Sequence, residues 1–223
     1  MLSDLLQIKK PSKSKLLLNS LIEEAILDQE ELRIAYEMFN NLENENLAQM
    51  KKQRDVIFKL HHDSKRKFED IYYRIHQTKI EDIKKFELLK LHQNICDRSK
   101  LTMNICEYLI LLAQFKCPES KSFTSKIKKN KEALVNMHEF FLEALKNESH
   151  KKSIDKIRKI IEIHENINKN NIYITREIYK TTHKNITYQE LRVVELILDA
   201  IEKINNSIIK GSVILECLIM IDF

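Results

Sequence analysis

The sequence predicts an all-α protein of six long helices arranged as two tandem three-helix bundles, and three observations carry that prediction. One glycine (Gly211) and two prolines (Pro11 and Pro118) in 223 residues leave almost nothing from which to build tight turns or hairpins. Apolar residues recur at steps of three and four over windows far longer than any strand, against a background rich in Lys, Glu, Leu and Ile. A break at Cys117-Pro118-Glu119-Ser120 divides the chain into near-equal parts, because proline cannot continue a helix and biases its predecessor away from helical angles.

Taken in order, the amphipathic segments place helices near 18–43, 45–79 and 81–115, then 124–148, 151–183 and 187–219. The expected organisation is an N-terminal extension over 1–17, a first half over 18–117, a linker over 118–123 and a second half over 124–223. The second helix shows a seam through Leu47, Met50, Arg54, Ile57, His61, Ser64, Phe68, Ile71, Ile75 and Thr78. The fifth shows another through Ile154, Ile157, Ile161, His164, Asn168, Asn171, Thr175, Ile178 and Thr182, polar in its middle. A shift of 103 residues sets His61 on His164 and Ile75 on Ile178, and a shift of 102 sets Ile95 on Ile197 and Asp97 on Asp199, which reads as a degenerate internal duplication. The run from Val213 to Phe223 is almost wholly apolar and is expected to pack on the bundle.

Charge is modest in sum, +5, but unevenly placed. The stretch from Glu23 to Glu45 carries eight acids against Arg33 alone, whereas residues 126–159 are crowded with lysine. Most of the basic residues are lysine, there is no tryptophan and no continuous basic stripe set with arginine or aromatic readers, so no nucleic-acid partner is expected. Cys96, Cys106, Cys117 and Cys217 form no CxxC pair and read as free thiols used as small hydrophobes. No apolar run reaches the length that spans a bilayer and the start does not resemble a secretory signal, so the expected compartment is the cytoplasm, with the inner face of the membrane as a docking place.

Two polar clusters interrupt the apolar seams. Acids and histidines one helical turn apart can chelate an ion from one face, which makes His61 with Asp97, and His164 with Glu195 and Asp199, the candidate ligands for a divalent or iron site. The alternative is a polar layer that fixes helix register through hydrogen bonds, with no cofactor, and this is the reading the base chemistry favours. No Gly-rich phosphate loop, His-Glu-x-x-His, nucleophile elbow or Glu-x-x-His pair occurs, so no enzymatic activity is expected and no catalytic residue is assigned.

The segment Val194-Glu195-Leu196-Ile197-Leu198-Asp199-Ala200-Ile201-Glu202, with Lys210 to Leu215 behind it and Ile95 to Asp97 and Asn104-Ile105-Cys106-Glu107 in the first half, resembles the PhoU-like phosphate transport regulators, in particular the branch that accompanies Pit-type permeases. The resemblance implies two three-helix halves and a non-enzymatic regulator or accessory protein that binds an inner-membrane phosphate transporter or its signalling partner. It also implies surface metal sites built from acids four apart on the second helix of each half. Here His61 with Lys65, and His164 with Asn168, stand in those places, so the resemblance implies a lost or degenerate site in which Asp97, Glu195 and Asp199 are the surviving acids. The acids Glu23, Glu24, Asp28, Glu30 and Glu31 of the first helix are the expected partner-binding surface, suited to the basic cytoplasmic loops of a transporter. The alternative is a helical scaffold that associates with copies of itself along its seams and has no transporter partner.

Overall fold

The computed structural model describes residues 13–116, 120–147, 149–181 and 187–221. Six α-helices account for nearly all of them: α1 (Lys13–Glu43), α2 (Leu47–Gln77), α3 (Asp82–Phe115), α4 (Ser120–Lys146), α5 (His150–Thr181) and α6 (Tyr188–Met220). There are no strands among the described residues.

The turns are made without glycine. Between α1 and α2 the backbone reverses at Glu45, which takes a positive φ of 56°, and α3 ends on Lys116 at φ 53°. Both positions hold the left-handed conformation that glycine usually supplies at a helix end. Asn46 then caps α2, its side chain accepting a hydrogen bond from the Gln49 amide at 3.1 Å. At α6 a reciprocal capping box joins Thr187 and Glu190: the Glu190 amide donates to Thr187 Oγ1 and the Thr187 amide donates to the Glu190 carboxylate.

The expected starts of two helices move. α1 begins at Lys13, so the last part of the supposed N-terminal extension is helical. α4 begins at Ser120, so residues 120–122 belong to the helix and not to a linker; serine and lysine have no chemistry that stops a first turn. The break at Cys117 and Pro118, residues 1–12 and Thr182 lie outside the described residues.

Helices α1, α2 and α3 pack on one another, as do α4, α5 and α6, and the two sets meet along α3 against α6 and α1 against α4. The buried side chains form one continuous core across both sets. Its pattern repeats. An offset of 106 residues carries buried Leu17, Leu21, Ala35 and Phe39 of α1 onto buried Phe123, Ile127, Phe141 and Leu145 of α4. Offsets of 103 and 102 do the same for Ile57, Ile71 and Ile75 of α2 onto Ile160, Ile174 and Ile178 of α5, and for Leu91, Ile95 and Cys106 of α3 onto Val193, Ile197 and Ile208 of α6.

On α5 the buried edge differs from the expected seam. Ile161, placed on the seam, is 43% exposed, while Ile160, Ile167 and Ile174, left off it, are buried. The polar middle obscures the phase: Asn168 and Thr175 continue the three-and-four spacing half-buried, while Ile167 and Ile174 beside them face the core.

Candidate functional site

The residues proposed as metal ligands do not converge. His61 lies half-buried on α2 with Nδ1 2.7 Å from Ser99 Oγ, whereas Asp97 faces solvent from α3 and accepts from Gln93 Nε2 at 2.9 Å. Buried positions on α3 include Arg98, Ser99 and Thr102, so residue 97 falls on the outer side of that helix. In the second half, His164 Nε2 accepts from Asn168 Nδ2 at 3.0 Å. Glu195 accepts from the Tyr179 hydroxyl and from Arg192 Nη1, the latter at 3.0 Å, and Asp199 pairs with Lys203 at 2.7 Å. Each candidate ligand has its own local partner. Among the described residues no group of three His, Cys, Asp or Glu side chains is disposed to hold a metal ion.

The acidic first helix is the larger correction. Of the five acids expected on one outer surface, Glu24, Asp28 and Glu31 are buried, at 0%, 1% and 0% exposure, and Glu23 and Glu30 alone face solvent. The cause is helical phase. Glu24, Asp28 and Glu31 stand four and then three residues apart, in step with Leu17, Leu21, Ala25, Leu32 and Ala35, so the same stripe that buries those apolar groups carries three carboxylates inward.

Each buried acid meets a partner aimed at it. Arg98 Nε of α3 and His138 Nε2 of α4 both donate to Asp28 Oδ2 at 2.7 Å. Arg98 Nη1 also donates to Asn94 Oδ1 at 2.8 Å, and its guanidinium lies 4.7 Å from the centre of the Phe141 ring. Burial works against the Asp28 carboxylate, yet the Arg98 guanidinium and the His138 imidazole hold it below the usual carboxylate range. Burial also pulls His138 down against the attraction of Asp28, which fits a neutral ring whose Nε2–H is the donor. α1 is thereby tied to both sets of helices through one carboxylate oxygen.

One turn back, His92 Nδ1 lies 2.7 Å from Glu24 Oε2, while His92 Nε2 lies 3.0 Å from the Phe68 carbonyl oxygen. A carbonyl only accepts, so Nε2 carries a hydrogen and the proton between Nδ1 and Glu24 is the one the pair shares. Burial pushes Glu24 above its ordinary value, opposed by the hydrogen bond to His92.

One turn forward, Ser99 Oγ bridges Glu31 Oε2 at 2.6 Å and His61 Nδ1 at 2.7 Å. The chain His61–Ser99–Glu31 runs from a half-buried ring on α2 to a fully buried carboxyl on α1. Burial pushes the Glu31 carboxyl up to about 8, only partly offset by the Ser99 hydrogen bond. His61 is lowered, first by burial and then by His62, Lys65 and Lys100 around it.

A pH dependence follows with a definite sign. The folded state holds a proton on Glu31 that the unfolded chain releases at its ordinary value of 4.5, so the folded state binds more protons between that pH and about 8. Glu31 therefore lowers stability progressively as pH rises across that window, and the loss is complete above it. Glu31→Gln is expected to flatten the fall in unfolding free energy between pH 5 and pH 8, gaining on the order of 2 kcal/mol over the parent at the upper end. Parallel pH profiles for the two proteins in urea titrations would show that Glu31 is already ionised and paired.

At the equivalent places in the second half, Glu24, Asp28 and Glu31 become Asn130, Leu134 and Met137. The polar links there are amides: Asn130 Nδ2 donates to Asn171 Oδ1, Asn170 Nδ2 donates to Asn130 Oδ1, both at 2.5 Å, and Asn205 Nδ2 donates to Asn168 Oδ1 at 2.9 Å. The sequence carried a signal for the ionic network that went unused. His92 and Arg98 lie in phase with Leu88, Leu91 and Ile95, and basic groups on an apolar stripe call for acids on a facing one.

No family model matches the chain, and no curated protein matches it either. A search of solved structures finds the crystal structure of PhoU from Pseudomonas aeruginosa, at 11% sequence identity and a TM-score of 0.69, over 93% of this chain and 97% of that one.

Proposed function

From its PhoU-like fold, we propose that the chain is a non-enzymatic regulator or accessory protein of a phosphate transporter, acting by protein binding at the inner face of the membrane. The observation that carries this reading is the end-to-end likeness to PhoU, which spans both three-helix sets and not an isolated bundle. No described helix is long and apolar enough to cross a membrane, so the transporter would be engaged from outside the bilayer. The finer identification with the Pit accessory branch, and the division of the chain into two three-helix halves about the junction of α3 and α4, belong to the same proposal.

The buried network narrows where such a partner would dock. Reversing Glu24, Asp28 or Glu31 would attack the core, whereas Glu23 and Glu30 are exposed and make surface ion pairs to Lys67, at 2.6 Å, and to Arg33, at 3.9 Å. Glu23→Lys with Glu30→Lys is expected to leave the thermal midpoint within a few degrees of the parent and to cut recovery of a transporter by at least tenfold. The assay is affinity capture of the tagged chain from gently solubilised native cells, with mass spectrometry of what accompanies it. Recovery that is unchanged by the reversal would remove α1 from the interface.

A second reading, self-association into a scaffold, has its own support in the exposed apolar residues around the turn from α2 to α3. Tyr72, Tyr73, Ile83 and Phe86 are each between 48% and 63% exposed. Capture of the chain by itself alone would favour that reading over the transporter.

A further inference from the structure

At one end of the bundle the start of α1, the end of α4, the start of α5 and the end of α6 enclose a pocket of about 360 Å³, a volume within the range of small-molecule sites. Its floor is apolar: Leu18 and Ile22 come from α1, and Leu215, Leu218 and Ile219 from α6. Leu215 and Leu218 belong to the buried core, so the floor is a continuation of that core toward solvent and not a surface dimple. Ser153 does not interrupt it, because its hydroxyl is turned away to the Ala144 carbonyl oxygen at 3.0 Å.

Among the described residues that line the pocket, Lys15, Lys146 and His150 are the ionisable ones and none is an acid. Lys146 and His150 are exposed, on either side of the turn that joins α4 to α5. An apolar slot with lysine ammonium groups and an imidazole N–H donor at its mouth is complementary to a molecule with a hydrocarbon body and a negative head. It opposes a neutral peptide, which would leave backbone groups unpaired against the leucines, and a cationic amphiphile, which the lysines would repel.

We propose that this pocket is a binding site for a single-chain anionic amphiphile, an acyl chain bearing a carboxylate. The chain lies on Leu18, Ile22, Leu215 and Leu218, and the head sits between Lys15, Lys146 and His150. The site is remote from the buried ionic network and independent of the transporter reading above.

The test uses the full chain and dodecanoate kept below its micellar concentration. The protein has no tryptophan, so Ile219→Trp places a unique fluorophore at the pocket floor, and calorimetry with the unsubstituted chain checks that the reporter has not created the site. Saturable one-to-one binding is expected, at least tenfold tighter for dodecanoate than for dodecyltrimethylammonium or for hexanoate. Lys146→Glu with His150→Glu is expected to weaken dodecanoate by at least tenfold; both residues are exposed, so helicity and thermal midpoint serve as the check that the fold is intact. Three results would overturn the proposal: no saturation, equal affinity for the two head charges, or an affinity untouched by the reversal in a folded protein. Binding that emerges only when residues 1–12 are removed would overturn it too, since the pocket would then be the chain's own to fill.

Discussion

Asp28→Ala is expected to destabilise the protein by about 3–5 kcal/mol, because it leaves the Arg98 guanidinium buried without its counter-charge. Arg98 is fully buried, and its remaining partners are Asn94 and the face of Phe141. His138 loses its acceptor in the same stroke. Urea unfolding monitored by circular dichroism measures the loss, and a cost below about 1 kcal/mol would mean that Arg98 finds water or another anion. The paired replacement Asp28→Leu with Arg98→Met should lose less than Asp28→Ala alone. Removing both charges leaves the His138 donor and the half-buried Asn94 Oδ1 acceptor without their partners, but no unpaired charge, and a packed apolar pair often equals a buried ion pair in stability. The second half supplies the precedent, with Leu134 and Ala200 at the equivalent positions.

The second large effect belongs to the chain's one glycine. A Cβ at Gly211 would stand 2.7 Å from Asn94 Oδ1, 3.2 Å from Phe141 Cε2 and 3.3 Å from Arg98 Nη1. In an exposed helix the change from glycine to alanine gains about 1 kcal/mol in helix propensity. Here α6 crosses α3 at the point where Arg98 fills the interface, and the atom in the way is held in place by Arg98 itself at 2.8 Å. Gly211→Leu is expected to cost about 3 kcal/mol by overpacking. Gly211→Ala should cost about 1 kcal/mol despite its better propensity. Adding Asn94→Ala to Gly211→Ala removes the nearest obstacle and should recover stability relative to Gly211→Ala alone; an additive result would place the strain on Phe141 instead.

The fold was legible because long helices announce themselves by what they exclude. A single glycine, two prolines and unbroken three-and-four spacing determined six helices, and the likeness to PhoU agrees with that architecture. What the spacing left unsettled was rotation. On α1 the acids Glu23 and Glu24 are neighbours in sequence and lie about 100° apart around the axis, enough to put one in solvent and the other against His92. Reading an acidic run as an acidic surface ignored that angle. On α5 the same error moved the seam onto Ile161 and away from Ile160. The candidate ligands failed for a different reason: whether His164, Glu195 and Asp199 meet depends on how α5 and α6 are paired in depth as well as in phase, and neighbours such as Tyr179, Arg192 and Lys203 claim the acids first.

The repeat that aligns the halves is faithful in shape and unfaithful in chemistry. Where the first set of helices is stitched by carboxylates, imidazoles and a guanidinium, with His138 of α4 reaching across to Asp28, the links among α4, α5 and α6 are asparagine amides, whose protonation does not change across the physiological range. Acid and alkali therefore reach the two sides of the molecule unequally. A shift in pH acts on the bonds that α1 makes to α3 and, through Asp28, to His138 of α4, while the amide links among α4, α5 and α6 keep the same donors and acceptors, so that one duplicate answers to pH through its own interior and the other through the single ring it lends to its neighbour.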